Sequence, residues 1–415
     1  MNDKIINNKA KFIMFKRPFE KVISSKNLID IDNAQRIIKT SDYRVYPISQ
    51  SDLMEDGWEY PEQYDSIKEG RFRKGEYIGN KWRGKFLRAP DIFFTILEKG
   101  KDKLVKIEDL FKVETYLNTG GADNFFIVKT RSYDQFVEIT NSSEEWMDGK
   151  IKFKIENEYV RPFIKSPRET TKIKILKDDP QWSIVIIPSD HGKIKDKKIA
   201  EYIKWGESVN FSNRSGCKNR KPWWKLPSQA TNPGEIIWAR LHNEKHIVWL
   251  NSLRISYSNY YALWPENKNI DIRHIVLLLN SSLQCLFREL YGKTNFGEGV
   301  IKTDGNDIKK MLCFDYNLLN NYHSPILDNI FDKISNRAIN SIFEEIGIDP
   351  SKSIRDQDPK PISDRAEIDK IIFDNIGLTE DERKEVYWSI CELVKQRRDT
   401  AVSLKKDKTI SLKKR

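Results

Sequence analysis

The sequence has little of what builds metal centres, disulfides or membrane spans. Its 415 residues include four cysteines and five histidines. Cys217, Cys285, Cys313 and Cys391 stand far apart, without a CxxC or a Cys–His pair at ligand spacing, so no structural zinc is expected. Scattered, reduced thiols fit the cytosol, and a cytoplasmic location is the expectation. The longest apolar stretch, Ile275 to Leu279, is far too short to cross a bilayer, so no membrane partner is expected. The opening Met-Asn-Asp-Lys carries no apolar segment of the kind a secretory signal needs. No internal repeat is found.

Catalytic signatures are missing as well. No Ser, His and Asp fall in a suggestive order, and the histidines give no ligand pair on one face. Asn118-Thr-Gly-Gly-Ala-Asp has the glycines of a phosphate-cradling turn but no Lys-Ser or Lys-Thr after it, so it is no Walker loop. Asn295-Phe-Gly-Glu-Gly follows a helix rather than a strand, with the wrong glycine spacing for an S-adenosylmethionine loop. Asp179-Pro-Gln-Trp is similar to the Asn/Asp-Pro-Pro-aromatic motif of amino-methyltransferases but lacks the second Pro that stiffens it. Glu144-Glu145 and Asp178-Asp179 have the residue type of metal carboxylates, yet acidic pairs arise by chance in a chain that is 32% charged. The chain is therefore expected to hold no catalytic, cofactor-binding or metal-binding residue of its own.

What the chain has is positive charge. Lys and Arg number 72 against 61 Asp and Glu, a formal net charge of +11, and the pI is about 9.1. Such a balance favours a nucleic acid or another anionic surface, although much of it lies on solvated faces. Two segments concentrate it. Tyr159 to Thr170 reads Tyr-Val-Arg-Pro-Phe-Ile-Lys-Ser-Pro-Arg-Glu-Thr. Each X-Pro step biases that backbone towards an extended form, so Arg161, Lys165 and Arg168 are presented at a fixed spacing, to a polyanion or to water. Ser208 to Gly234 carries Arg214, Lys218, Arg220, Lys221 and Lys225 beside Trp223 and Trp224, with no Asp or Glu. Basic side chains neutralise phosphates, Arg can bridge a guanine, and Trp can stack on a base. One of the two Trp is expected to fill the core instead. The Asn118 turn suits a tight bend beside a phosphate backbone.

The length allows two or three domains. Lys11 to Phe15 reads as a strand with no earlier segment to pair with, so it must join a later segment or another chain. Glu59 to Asn80, with Pro61, Gly70, Gly75 and Gly79, reads as a linker. Pro90 suits the first turn of a helix through about Lys99. Ile272 to Tyr291 reads as one core helix, capped by Asp271 and ended by Gly292. Helical periodicity returns at Ile326–Ile346 and Asp364–Ala401, the latter broken at Gly377, with Thr379 and Glu382 as a capping box. The fold class is α+β: a mixed, mostly antiparallel sheet domain over residues 81–320, a helical tail over 321–402, and a Lys-rich, disordered end over 403–415.

Lys81-Trp-Arg-Gly-Lys-Phe-Leu-Arg-Ala-Pro, Asn118-Thr-Gly-Gly-Ala-Asp-Asn-Phe-Phe and Tyr159-Val-Arg-Pro-Phe-Ile-Lys-Ser-Pro-Arg come in that order. Leu278-Leu-Asn-Ser-Ser-Leu, the run from Leu290 through Asn295-Phe-Gly-Glu-Gly, and Ile368-Asp-Lys-Ile-Ile-Phe-Asp-Asn-Ile-Gly follow. Together they resemble the C-terminal target-recognition region of gamma-type adenine-specific (N6) DNA methyltransferases of restriction–modification systems. The resemblance implies double-stranded DNA as partner, and contacts from Arg88, Arg161, Lys165, Arg168, Arg214, Arg220, Lys221, Trp223, Trp224 and Lys225. That family also has a catalytic domain with a cofactor glycine loop and an Asn-Pro-Pro-Tyr-type site, and neither motif occurs here. Residues 1–80 are similar to the last strand and connector of that domain. The expectation is thus a split enzyme, in which a separate catalytic methyltransferase chain binds S-adenosylmethionine and docks on Phe12 and Phe15. The alternatives are an enzyme in its own right, a gene remnant, and an RNA or single-strand binder that stacks bases on Trp223 and Trp224.

Overall fold

The computed structural model describes residues 8–59, 70–77, 79, 82, 86–115, 117–133, 135–141, 152–195, 197–296, 299–321 and 324–413. The chain forms two compact units, Met1–Lys101 and Asp102–Arg415. Most of the linker expected from Glu59 to Asn80 lies outside the described residues.

In the first unit, strand β1 (Lys9–Phe15) pairs antiparallel with β3 (Tyr43–Ser49), and β2 (Ile38–Lys39) takes the other side of β3. The N-terminal strand therefore pairs with a later segment of its own chain. Alternation turns Tyr43 and Val45 into a small core with Val22 and Ile31. Helix α1 (Asp91–Lys99) follows Pro90 and ends at Gly100. Arg44, fully buried, donates to Asp91 Oδ1 at 2.8 Å and to the Phe86 carbonyl at 3.2 Å. The Tyr46 ring lies 5.2 Å from that of Phe86 and 4.6 Å from that of Phe94. These contacts tie residues 86–99 to the β1–β3 sheet. By its contacts the chain divides at the Lys101–Asp102 step, later than the boundary expected at Lys81.

The second unit is built mainly on two sheets, with a three-stranded and a two-stranded sheet beside them. Strands β4 (Phe111–Glu114), β5 (Ile127–Tyr133), β6 (Phe136–Asn141), β7 (Lys152–Glu156), β8 (Val160–Ile164) and β9 (Trp182–Val185) come first. Helix α2 (Lys198–Ser208) follows, then β10 (Ile236–Ala239), β11 (Val248–Leu250), β12 (Ser256–Tyr257) and β13 (Tyr260–Pro265). One sheet has the order β7-β6-β5-β9-β8-β12, antiparallel except for its last pair. The other, β11-β10-β13-β4, is antiparallel throughout. Helix α2 covers one face of the larger sheet: Tyr202 stacks 4.6 Å from Phe125 and donates its hydroxyl to the Phe125 carbonyl at 2.7 Å.

The core helix expected over Ile272–Tyr291 is two helices, α3 (Ile272–Leu279) and α4 (Ser282–Tyr291). Asn280 interrupts it because its amide completes a strand: Nδ2 donates to the Val248 carbonyl at 2.8 Å and Oδ1 accepts from Val248 N at 3.0 Å. Ser281 then caps the new start. Helices α5 (Ser324–Ser335), α6 (Ser363–Ile376) and α7 (Glu380–Lys413) follow, with Gly377 in the left-handed region between the last two and the Thr379–Glu382 box in place. This helical tail belongs to the same compact unit as the sheets. Asp369 on α6 accepts from Ser282 N at 2.7 Å, and Arg397 on α7 pairs with Glu289 on α4 at 2.9 Å. The end expected to be disordered continues α7 through Lys413. Among the described residues no helix is long and apolar enough to cross a membrane.

Candidate nucleic-acid interface

In the segment Tyr159–Thr170 a carboxylate holds the backbone beside its prolines. After β8, Ser166 caps a turn at Pro167–Glu169. Glu169 accepts from Lys165 N at 3.0 Å, Ser166 N at 2.8 Å and Gln181 N at 2.9 Å. Arg161 and Arg168 are exposed. Lys165 places its ammonium 4.1 Å from the centroid of the Trp182 ring, and Lys129 places another at 4.0 Å.

The loop Ser208–Gly234 turns inward. Trp223 is 9% exposed and Trp224 3%. Trp223 Nε1 donates to Glu207 at 3.1 Å, and Trp224 Nε1 to the Pro188 carbonyl at 3.2 Å. Both indoles are thus structural, which corrects the expectation that one of them meets a base. The stacking platform of the single-strand reading goes with it. Arg220 donates to the carbonyls of Asn118 at 2.8 Å and Thr119 at 3.4 Å, so it latches the loop to the Asn118 turn. At that latch the two backbones touch. A Cβ on Gly216 would lie 2.5 Å from Gly120 Cα, and Gly120 itself has a φ of 77°. Lys218, Lys221 and Lys225 are exposed, while Arg214 is half-buried beside the Phe211 ring.

The two segments meet at an open cleft of about 670 Å³. Arg161 comes from one, Lys225 from the other, and Arg254 from a third loop. Ile187, Pro188 and Ile255 supply apolar walls. Two carboxylates lie close by, and each has a cation. Glu158 is bonded to the Lys197 ammonium, which pulls its pKa below the usual carboxylate range. Glu235 lies 3.1 Å from Arg254. The cleft is left with a positive bias from Arg161 and Lys225.

The other expected residues lie elsewhere. Arg88 is half-buried in the first unit. Phe12 packs 4.9 Å from Phe86, and Phe15 lies 5.2 Å from Phe19, both in the first unit. Both rings are half-buried there. What β1 leaves open among the described residues is its backbone edge. Asp179 caps a local turn by accepting from Leu176 N at 2.8 Å, and Glu144-Glu145 lie outside the described residues. Asp271, His274 and Asp328 come close enough together to hold a metal. Arg273 already pairs with both carboxylates, 2.6 Å from Asp271 and 2.9 Å from Asp328.

Residue-by-residue reading missed a set of exposed cations on β5 and β7: Lys129, Arg131, Lys152 and Lys154. The signal was available as a period of two, in Ile-Val-Lys-Thr-Arg and Lys-Phe-Lys-Ile.

Residues 79–347 match the family described as Type II methyltransferase M.Eco57I, C-terminal domain. A curated relative, Type II methyltransferase M.AccI of Acinetobacter calcoaceticus, is 26% identical over 192 residues, which is 43% of this chain and 34% of that protein. The chain thus spans about a third of that relative's length. Among solved structures, the type IIG restriction endonuclease BpuSI has a similar fold, with a TM-score of 0.50 at 11% identity. That match covers 95% of this chain and 40% of the endonuclease.

Proposed function

This chain belongs to the family of the Type II methyltransferase M.Eco57I C-terminal domain, and from that premise we propose that it is the DNA-recognition part of a restriction–modification adenine-N6 methyltransferase. One observation carries the reading. Two cationic segments far apart in sequence converge on one open cleft, where the acidic groups are already paired. Such a cleft suits a phosphate-bearing duplex, with phosphate contacts to set position and base contacts to set sequence.

In this reading S-adenosylmethionine binding and methyl transfer belong to a catalytic domain that these 415 residues do not contain. The open edge of β1 offers that domain a backbone ladder to join. The test is duplex binding by the chain at two salt concentrations, with and without S-adenosylmethionine. The reading predicts salt-sensitive binding that ignores the cofactor. Binding that requires the cofactor, or methyl transfer by the pure chain, would overturn the division of labour.

A further inference from the structure

We propose that the outer face of the six-stranded sheet is a second DNA contact, one that grips the phosphate backbone of a duplex without reading its bases. The inference rests on the DNA-recognition reading above and adds to it four strand cations, Lys129, Arg131, Lys152 and Lys154, that lie outside the basic loops.

Strand alternation sorts the side chains of the sheet onto two faces. On β5, β6 and β7, Val128, Val137, Ile139 and Ile155 are buried in the core that α2 covers. Their neighbours in sequence must point the other way. The ladder aligns those neighbours in two rows. Lys129 faces Thr140, which faces Lys152; Arg131 faces Glu138, which faces Lys154. All four cations are exposed. Along a strand they stand about 7 Å apart, and across two strand spacings about 10 Å. The lattice contains one carboxylate, Glu138, 3.6 Å from Lys152. A sheet face has no walls to enclose a small anion, so this array suits a long polyanion.

Trp182 decides between duplex and single strand. It lies at the edge of the lattice, and the ammoniums of Lys129 and Lys165 sit 4.0 and 4.1 Å from its ring centroid. The indole is occupied by cations rather than open to a base. A single strand would need open rings to stack on, whereas a duplex keeps its bases stacked and presents phosphates. Contacts of that kind carry no sequence information. The face therefore holds the duplex in register while selectivity arises elsewhere.

The experiment is a salt titration of duplex binding by the full chain, for the unaltered protein, Lys129→Ala/Arg131→Ala, Arg161→Ala/Lys225→Ala and Glu138→Gln. Removing two phosphate contacts should lower the slope of log K against log salt by about 1.8, equally on unrelated sequences. Glu138→Gln should tighten binding severalfold, a gain that a damaged fold cannot produce. An unchanged slope for Lys129→Ala/Arg131→Ala, with binding lost in Arg161→Ala/Lys225→Ala, would overturn this face and leave the recognition reading standing. No duplex binding by the unaltered chain, or a preference for RNA or single strands, would overturn both.

Discussion

The loop at 208–234 and the strands at 127–133 and 152–156 carry the same sign of charge and differ in how much of it serves the fold: Lys218, Lys221 and Lys225 of the loop reach solvent, while Arg220 is a latch and Arg214 is half-buried. The loop has five basic residues, two adjacent Trp and no acid. By composition it is the more obvious binding element. In the fold both of its Trp are buried and Arg220 holds a neighbouring turn. The strands look unremarkable by composition, yet alternation sends every cation of Lys129, Arg131, Lys152 and Lys154 to solvent. Density of charge along the chain thus says little about where charge faces. Periodicity says more, because a strand has no choice about which side its alternate residues take.

The contrast can be broken most forcefully at the loop. Trp224→Ala should cost about 3–5 kcal/mol of stability, the usual range for emptying a buried aromatic site. Urea unfolding measures it, and a loss well under 1 kcal/mol would mean the indole is not the core residue described.

Charge that faces inward also serves the fold in a buried cluster between β11, α4 and α7. His246 lies 2.9 Å from Glu289, which pairs with Arg397. Burial pushes the His246 pKa down to about 4 from 6.5. Burial pushes Glu289 up, but Arg397 and His246 outweigh it and leave a pKa of about 2. We take His246 as neutral beside an ionised Glu289. The unfolded chain then binds a proton on His246 between pH 6.5 and about 4 that the folded chain refuses. Stability present above pH 6.5 should fall through that window, and the Glu289 term should continue the fall towards pH 2. Urea midpoints measured across pH would show it, and a flat profile between pH 7 and pH 4 would contradict the assignment.

Smaller effects sharpen the comparison. Gly216→Ala should destabilise by about 1–3 kcal/mol, since its Cβ would meet Gly120 backbone that cannot give way cheaply. Full stability in that variant would show that loop and turn are not in contact. Finally, Arg220→Ala should lower stability by about 1 kcal/mol through its carbonyl bonds, while exposed Lys221→Ala should leave stability unchanged. Thermal melts of the pair separate the two roles, and equal losses would remove the distinction.

Much of the fold was legible in the sequence for local reasons. The capping box at Thr379–Glu382, the stop at Gly377, and the Asp271 and Gly292 ends all act within a few residues of themselves. What was not legible depends on distant partners. Asn280 breaks a helix because a strand some thirty residues earlier needs its amide. Trp223 is buried because Phe125 and Glu207 wait for it. The basic segments at Arg161 and Lys225 are legible in the sequence as segments, but their shared cleft needed the topology to bring them together.

The most direct measurement is lysine acetylation footprinting of the full chain with and without duplex DNA, read by mass spectrometry. The account predicts protection of Lys129, Lys152, Lys154 and Lys225, with Lys218 on the loop remaining reactive. Protection confined to the 208–234 loop, with the sheet lysines modified at the same rate as without DNA, would contradict it.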